Sequence, residues 1–273
     1  MNNPIEVVIE LSEPQTAVLA SRKQVILEMA GQGGGKSANI GNSSGMLISA
    51  FPEAFGFIGA NTYQQLSTST LLRVFAGWKH AYGYEEYEPR SCPWGAYVVD
   101  KKPPAHFRRL HKFRSYEGVI SFFSGHVCFI GSLENYKAHE GKEFAWAHLD
   151  ETKDTKEEAL KEVILGRLRQ YGLWYDRNGD IQFNNTISAD EAKEAGWTSW
   201  NPLYIHTSPS ISGTPWLVDM FKLDKFEKEI KEAVIQKEKD FFHKEFDNKA
   251  VIIYSAYHNA PHLSPGYLAN QEA

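Results

Sequence analysis

A glycine-rich segment near the start of the chain has the residue types that bind phosphate. Residues 31–35 read Gly-Gln-Gly-Gly-Gly, and Lys36 and Ser37 follow directly. Glycines let backbone N–H groups converge on phosphate oxygens, and a helix that begins there adds the positive end of its dipole. Lys36 would reach the β- and γ-phosphates, and the Ser37 hydroxyl would bind Mg²⁺. We therefore predict that nucleotide is bound by Gly31, Gln32, Gly33, Gly34, Gly35, Lys36, Ser37 and Ala38.

The flanking residues favour a strand before this loop and a helix after it. The apolar run at residues 25–27 precedes the loop, and apolar residues recur at helical spacing over residues 40–48. The match to the G-x-x-x-x-G-K-[ST] pattern is imperfect, because Ala30 stands at the first glycine position. A flexible strand-to-helix turn without a ligand is the alternative interpretation.

Two adjacent carboxylates end a mostly apolar segment in the middle of the chain. Residues 144–149 read Phe-Ala-Trp-Ala-His-Leu, and Asp150 and Glu151 follow. Ligands of parallel α/β sheets bind beyond the carboxyl ends of the strands. Asp150 would hold Mg²⁺, and Glu151 would orient or deprotonate the attacking water. The alternative is an acidic pair that stabilises the beginning of a helix.

Gln15 has two interpretations. Ser12 and Gln15 have the spacing of a capping box, in which the glutamine amide bonds back to the N-cap residue. An amide can also pair with a donor and an acceptor on the edge of adenine. Because the predicted phosphate loop follows Gln15 by about twenty residues, we include Gln15 among the nucleotide-binding residues.

Residues 101–114 form the strongest basic segment of an acidic chain. The whole protein of 273 residues has a formal net charge of −5, whereas this segment has two histidines and no acid. It could contact a phosphate backbone, with salt-dependent affinity. The alternative is a solvated basic segment whose two phenylalanines pack inward. Its candidate DNA-binding residues are Lys101, Lys102, Arg108, Arg109, Lys112 and Arg114.

Bulk composition is typical of a soluble globular protein of one large or two small domains. Hydrophobic residues make up 42% and charged residues 23% of the chain. No apolar run is long enough for a membrane span, and the N-terminus lacks the features of a signal peptide. Cys92 and Cys128 fit no metal-binding or disulfide pattern, which favours an intracellular setting.

The alternation of strands and helices predicts a three-layer α/β domain with a mainly parallel sheet. We expect a strand or extended arm at residues 5–11, helices at 61–80 and 155–170, and an irregular connection at 81–100. Residues 217–247 are expected to form a long helical region that is broken near Asp240. Further strands are expected at 55–60, 144–151, 203–209 and 251–256, with a hairpin over 118–130. Antiparallel strands are expected from 118–130, and residues 97–114 are a second candidate for them. His258 and His262 are a weak candidate metal pair, because no third ligand lies nearby in sequence.

The order of these motifs resembles the ATPase domain of the large terminase subunits of tailed bacteriophages, over nearly the whole chain. The more specific features are residues 205–209 (Ile-His-Thr-Ser-Pro), residues 213–216 (Gly-Thr-Pro-Trp) and the ending at 255–268. The resemblance implies a P-loop fold, ATP and Mg²⁺ as ligands, and ATP-driven translocation of double-stranded viral DNA into the capsid. It assigns Gln15 to adenine, and Thr207 and Ser208 to coupling of γ-phosphate loss to movement.

The same resemblance implies partners and a cellular setting. These are double-stranded DNA, a portal protein, a small terminase subunit and further copies of the chain in a ring, with a monomer expected outside the assembly. Assembly would take place in the host cytoplasm, without a membrane. We interpret residues 1–273 as one ATPase domain that stops where a nuclease domain usually follows, and we expect no nuclease activity from it.

Two residues depart from the family pattern. Many large terminases have an arginine where this chain has Gln32, and another where it has Glu140. Both arginines are candidates for the cation that stabilises transferred phosphate. Lys137 and Lys142 are nearby replacements, but we favour Arg167 or Arg169 and expect slow hydrolysis without such a cation.

Two other functions remain possible from the sequence. A helicase-like or recombination ATPase would share Gln15 and both nucleotide motifs, although the chain is short for a second motor lobe. A DNA-docking module could bind nucleotide without turnover, since its loop lacks glycine at position 30.

Overall fold

The computed structural model describes residues 8–210, 214–236, 240–264 and 267, and contains twelve strands within them. The strands are β1 (Val25–Ala30), β2 (Phe55–Ala60), β3 (Tyr97–Val99), β4 (Val119–Phe122), β5 (Val127–Ser132), β6 (Trp146–Asp150), β7 (Leu173–Tyr175), β8 (Ile181–Phe183), β9 (Thr198–Ser199), β10 (Leu203–Thr207), β11 (Phe241–Phe246) and β12 (Lys249–Tyr254). Nine of them form a central sheet in the order β11-β12-β1-β10-β6-β2-β5-β4-β3.

The middle of the central sheet is parallel and its edges are antiparallel. Strands β12, β1, β10, β6, β2 and β5 all run in the same direction. Strand β11 pairs antiparallel with β12 at one edge, and at the other edge β4 pairs antiparallel with both β5 and β3. The predicted mainly parallel sheet and the hairpin over 118–130 are confirmed. The carboxyl ends of the parallel strands all lie at the same end of the sheet, and the candidate site is there.

Helices cover both faces of the central sheet. They are α1 (Glu13–Ala20), α2 (Lys36–Ala50), α3 (residues 63–82), α4 (residues 157–167), α5 (Ala189–Glu194), α6 (Pro215–Phe221) and α7 (residues 227–236). One buried core packs α1, α2 and α3 against the sheet, and a second core packs α4 and α6 against the opposite face. Two cores on the two faces of one sheet give the predicted three-layer architecture.

A small second sheet lies beside the main one. Strands β7, β8 and β9 pair in the order β8-β7-β9, all antiparallel. Asp176 accepts hydrogen bonds from the backbone N–H groups of Asn178 and Asp180 at 2.8 and 3.0 Å. Residues 176–180 therefore form an Asx-type turn between β7 and β8.

Two predicted elements differ from the structure. The helical region predicted over residues 217–247 is wrong after its expected break near Asp240, because residues 241–246 form β11 in a hairpin with β12. Asp247 adopts a φ of 48°, which a short hairpin turn needs and a helix would not tolerate. The predicted N-terminal strand or arm falls partly on residues 5–7, outside the described part, and residues 8–12 belong to no strand.

The remaining helical predictions are confirmed with small shifts of their ends. The helix predicted at 61–80 is α3, and the helix predicted at 155–170 is α4. The predicted irregular connection at 81–100 ends in β3. Within the described ranges, no helix has the length and apolar character that crossing a membrane requires.

Candidate nucleotide-binding site

The glycine-rich loop joins the carboxyl end of β1 to the first turn of α2. Gly33 and Gly35 have φ angles of 80° and 87°, a left-handed conformation that costs glycine little and other residues more. A side chain at Gly35 would also lie 2.6 Å from Gln15 Nε2. The loop therefore brings its backbone to the N-terminus of the 15-residue helix α2, where an anion is favoured.

Lys36 folds back over the loop. Its Nζ donates to Ala30 O at 3.0 Å, to Gly31 O at 3.4 Å and to Ser208 Oγ at 3.0 Å. The side chain is buried, and among the described residues no carboxylate lies within ion-pair distance of it. A buried ammonium with only neutral protein partners favours an anionic ligand such as phosphate.

Asp150 is buried at the end of β6 and is held by hydroxyl groups. Its Oδ2 accepts from Thr70 Oγ1 at 2.6 Å and from Ser37 Oγ at 3.3 Å. Its Oδ1 accepts from the backbone N–H of Glu151 at 3.1 Å. Burial raises the pKa of Asp150, and the hydrogen bond from Thr70 opposes that rise.

The residues around Asp150 fit Mg²⁺. Asp150 and Ser37 supply oxygen atoms next to the phosphate loop, and Mg²⁺ is usually bound by one or two protein oxygens together with phosphates and waters. In the described ranges, no cluster of three or more His, Cys, Asp or Glu residues forms a separate metal site. The weak candidate pair His258 and His262 gains no third ligand there.

Glu151 has a strained backbone and one carboxylate oxygen without a hydrogen bond. Its φ of 50° is uncommon for a residue with a side chain, and such strain concentrates at functional sites. Oε1 accepts from Ser208 Oγ at 3.1 Å. Oε2 is buried without a hydrogen-bond partner, and Lys153 Nζ lies 4.0 Å away, in ion-pair range only. This oxygen is suited to accept a hydrogen bond from a water molecule.

Ser208 connects the two halves of the site. Its hydroxyl donates to Glu151 Oε1 and accepts from Lys36 Nζ. Thr207 Oγ1 accepts from the backbone N–H of Lys153 at 3.1 Å, next to the acidic pair. Strand β10, which leads into this segment, lies between β1 and β6. Of the two residues predicted for coupling, Ser208 therefore contacts both Lys36 and the acidic pair.

Gln15 is engaged in protein contacts at both ends of its amide. Its Oε1 accepts from the backbone N–H of Ser12 at 3.0 Å, as the predicted capping box requires. Its Nε2 donates to Gly35 O at 3.4 Å. The capping interpretation is confirmed, and Gln15 also ties α1 to the phosphate loop. The Nε2 amide has a second N–H, and adenine recognition by Gln15 stays a prediction.

The C-terminal segment supports the loop from the other side. Asn259 Nδ2 donates to Gly33 O at 2.6 Å, and a side chain at Gly33 would meet the ring of Tyr267 at 2.9 Å. Sequence reasoning assigned Asn259 no chemical role, because its contact is made across 226 residues. The motif residues Gly213, Pro265, Gly266 and Leu268 lie outside the described part of the chain.

Arg167 and Arg169 lie at the other end of β6. Phe144 N donates to Arg167 O at 2.7 Å, and Arg169 N donates to Phe144 O at 3.1 Å. Six residues of extended chain separate Phe144 from Asp150, which is about 20 Å. Arg169 also pairs with Glu143 at 2.9 Å. Neither side chain can span that distance to nucleotide held by the same chain, so action of Arg167 or Arg169 on the nucleotide of a neighbouring copy stays a prediction.

The alternative cations Lys137 and Lys142 do not contact the site either. Lys142 Nζ lies 3.2 Å from His139 Nδ1 and 4.8 Å from the centre of the Phe129 ring. Lys137 is exposed on the 3₁₀ turn Tyr136–His139. Among the described residues, no arginine contacts Lys36, Asp150 or Glu151.

The basic segment 101–114 follows β3 and continues toward the start of β2, where the ring centre of His111 lies 4.2 Å from that of Phe55. Lys101 pairs with Glu86 and Glu88, and Arg108 pairs with Glu53. Phe107 is buried and Phe113 packs against the second core, so both rings point inward as expected. Four exposed side chains have no ion pair with a described residue: Lys102, Arg109, Lys112 and Arg114.

Solved structures of large terminases are similar to this chain in fold. The large terminase of the thermophilic bacteriophage D6E is 14% identical, with a TM-score of 0.56 over 97% of this chain and 50% of that one. The same protein in complex with ADP has the same identity and TM-score over 96% and 50%. The large terminase ATPase domain of Thermus phage P74-26 is 13% identical, with a TM-score of 0.51 over 96% and 88%.

No family sequence model and no curated protein sequence matches this chain. The chain spans about half the length of the first two terminase structures. At these identities the likeness concerns the fold, and it agrees with the resemblance seen in the sequence motifs. The chain therefore has the α/β P-loop fold of large terminase ATPase domains.

Proposed function

We propose that this protein is a Mg²⁺-dependent ATPase that drives translocation of double-stranded viral DNA into a capsid. The observation that carries the proposal is one continuous set of contacts: Lys36 to Ser208, Ser208 to Glu151, and Asp150 to Ser37. These contacts join a phosphate loop, a candidate metal site and a candidate base at the carboxyl edge of a parallel sheet.

Each group would have a defined task in ATP hydrolysis. The loop N–H groups and Lys36 would hold the phosphates, so that little movement is needed during reaction. Ser37 and Asp150 would hold Mg²⁺, which neutralises charge on the phosphates. Glu151 Oε2 would orient the attacking water and accept its proton.

Ser208 would couple the state of the phosphates to the acidic pair. It contacts Lys36 on one side and Glu151 on the other, so a ligand that draws Lys36 away removes one of its partners. Such a redistribution of contacts would move the end of β10, which is how phosphate loss could become movement.

The fold likeness supplies the wider setting. The partners would be duplex DNA, a portal protein, a small terminase subunit and further copies of this chain in a ring. Assembly would take place in the host cytoplasm during virion formation. The solved terminase with ADP supports nucleotide as the ligand class.

A phosphate-release assay with Mg²⁺-ATP and DNA tests the proposed chemistry. Glu151→Gln keeps the size of the side chain but removes the base, and should lower kcat by about 10²-fold or more. Glu134→Gln is the matched control, because it removes an exposed carboxylate that is outside the site. Equal rates for Glu151→Gln and the wild type would overturn the assignment.

One observation favours a second candidate, a docking module that binds nucleotide without turnover. Among the described residues, no arginine contacts Lys36, Asp150 or Glu151, and such a cation contributes several orders of magnitude to rate. Turnover that appears only at high protein concentration would indicate an arginine from a neighbouring copy. Nucleotide binding without turnover under every condition would favour the docking module.

A further inference from the structure

A buried polar network lies beneath the phosphate loop, on the face of the sheet that packs against α2. Glu28 Oε2 lies 2.5 Å from His206 Nδ1, and His206 Nε2 lies 2.9 Å from His148 Nδ1. Tyr254 OH donates to Glu28 Oε1 at 2.5 Å, and Asn39 Nδ2 donates to the same oxygen at 3.1 Å. All five side chains are buried. The chemistry proposed above uses none of them.

The network crosses four adjacent parallel strands and reaches one helix. Tyr254 is on β12, Glu28 on β1, His206 on β10 and His148 on β6, and Asn39 is on α2. Three of the strand residues are close to a site element in sequence. Glu28 precedes the loop, His206 precedes Thr207 and Ser208, and His148 precedes Asp150 and Glu151.

The hydrogen-bond directions fix where the protons are. Ser43 Oγ donates its one proton to Asn39 O at 2.7 Å, so its contact with His148 Nε2 at 3.4 Å requires an N–H on that nitrogen. The contact between the two rings needs one further proton, and we assign it to His206 Nε2 because the resulting cation is then in direct contact with Glu28. His206 Nδ1 donates to Glu28, so both nitrogens of His206 carry a proton.

Charge balance agrees with this assignment. Glu28 accepts from Tyr254, Asn39 and His206, as an ionised carboxylate does. A buried carboxylate needs a counter-charge, and among the described residues His206 is the basic group in contact with it.

We propose that Glu28 and His206 are positioning residues: their buried charged pair holds β1, β10 and β6 in a fixed arrangement. The phosphate loop, Ser208 and the pair Asp150–Glu151 are the ends of those three strands. The inference rests on the proposed ATPase function, because the task of the pair is to keep these ends at reacting distance. Groups that hold others in this way change turnover more than ligand binding.

Kinetics of three variants test the role. Glu28→Gln leaves the His206 cation without its counter-charge and should lower kcat about tenfold or more, while the Kd of a non-hydrolysable ATP analogue changes less than about threefold. The double variant adds His206→Asn to Glu28→Gln. The asparagine amide then donates to the glutamine in place of His206 Nδ1, so most of the lost kcat should return. Glu85→Gln is the control, since it breaks an exposed pair with Lys79. An unchanged kcat in folded Glu28→Gln would overturn the proposal.

Neutron diffraction from crystals of the wild-type protein tests the charge assignment without any variant. We expect deuterium on both ring nitrogens of His206 and on Nε2 alone of His148. A neutral His206 ring would overturn the proposal even if Glu28→Gln does not fold. Absence of ATP turnover by the wild type would count against the proposed function instead, and the neutron result would still decide the charged pair.

Discussion

At the scale of single residues, the hydroxyl groups of the site determine where its charged groups lie. Thr70 and Ser37 both donate to Asp150 Oδ2, and Ser208 lies between Lys36 and Glu151. A carboxylate that is held by hydroxyls keeps one orientation for a metal ion. The precision of the site therefore depends on neutral side chains as much as on the charged ones.

Thr70→Val tests this dependence. Valine has nearly the same shape but cannot donate to Asp150, so the apparent affinity for Mg²⁺ in the ATPase assay should fall about tenfold. The control is Thr68→Val on the same helix, whose exposed hydroxyl bonds only to the backbone of Gln64. The same Mg²⁺ dependence in both variants would contradict the account.

The sequence predicted the charged residues of the site but not their supports. Lys36, Asp150 and Glu151 stand in local patterns that report their chemistry, and the structure brings all three together. Thr70 and Asn259 have no such pattern, because each makes its contact with a residue that is distant in sequence. The only signal for Thr70 is that it follows β2, the neighbour of β6.

At the scale of elements, the position of β10 could not be predicted from the order of motifs. It comes late in the chain yet lies between β1 and β6, which carry the phosphate loop and the acidic pair. Local patterns identify strands, whereas non-local pairing decides their order. The hairpin of β11 and β12 was missed for a related reason, since the charged residues at 244–249 also fit an exposed helix.

The basic segment gives a prediction at this scale. Replacement of Arg109, Lys112 and Arg114 by Gln should weaken binding to duplex DNA and reduce the slope of log K against log salt by about 2.7, if each residue neutralises one phosphate. The control removes three exposed charges from the other end of the sheet: Lys225→Gln, Lys228→Gln and Lys231→Gln. Equal salt slopes for the two triple variants would contradict DNA binding by residues 101–114.

At the scale of the whole molecule, stability should depend on pH through buried histidines. Burial lowers the pKa of His126 to about 4, even though its Nδ1 bonds to Phe51 O at 2.7 Å. In the unfolded chain the imidazole of His126 binds a proton near pH 6.5, whereas in the folded protein it does so only near pH 4. The folded state therefore binds fewer protons than the unfolded state between about pH 6.5 and pH 4. Stability contributed by neutral His126 is therefore complete above pH 6.5 and lost as the pH falls toward 4.

Urea unfolding of the wild type and His126→Gln between pH 7 and 4 measures this effect. Over this range the free energy of unfolding of the wild type should fall by on the order of 3 kcal/mol more than that of the variant, if His126 titrates alone. His139, whose pKa is also lowered to about 4, adds a similar loss to both proteins. The exposed His80→Gln is the control. Parallel pH profiles for the wild type and His126→Gln would contradict the assignment.

The central claim is that the loop at Lys36 and the acids at Asp150 and Glu151 form one binding site. A crystal structure with ATP-γ-S and Mn²⁺ in place of Mg²⁺, phased on the manganese signal, tests it most directly. We predict phosphates on the loop, manganese beside Ser37 Oγ and Asp150, and a water next to Glu151 Oε2. Nucleotide bound elsewhere, or manganese distant from Asp150, would contradict the account.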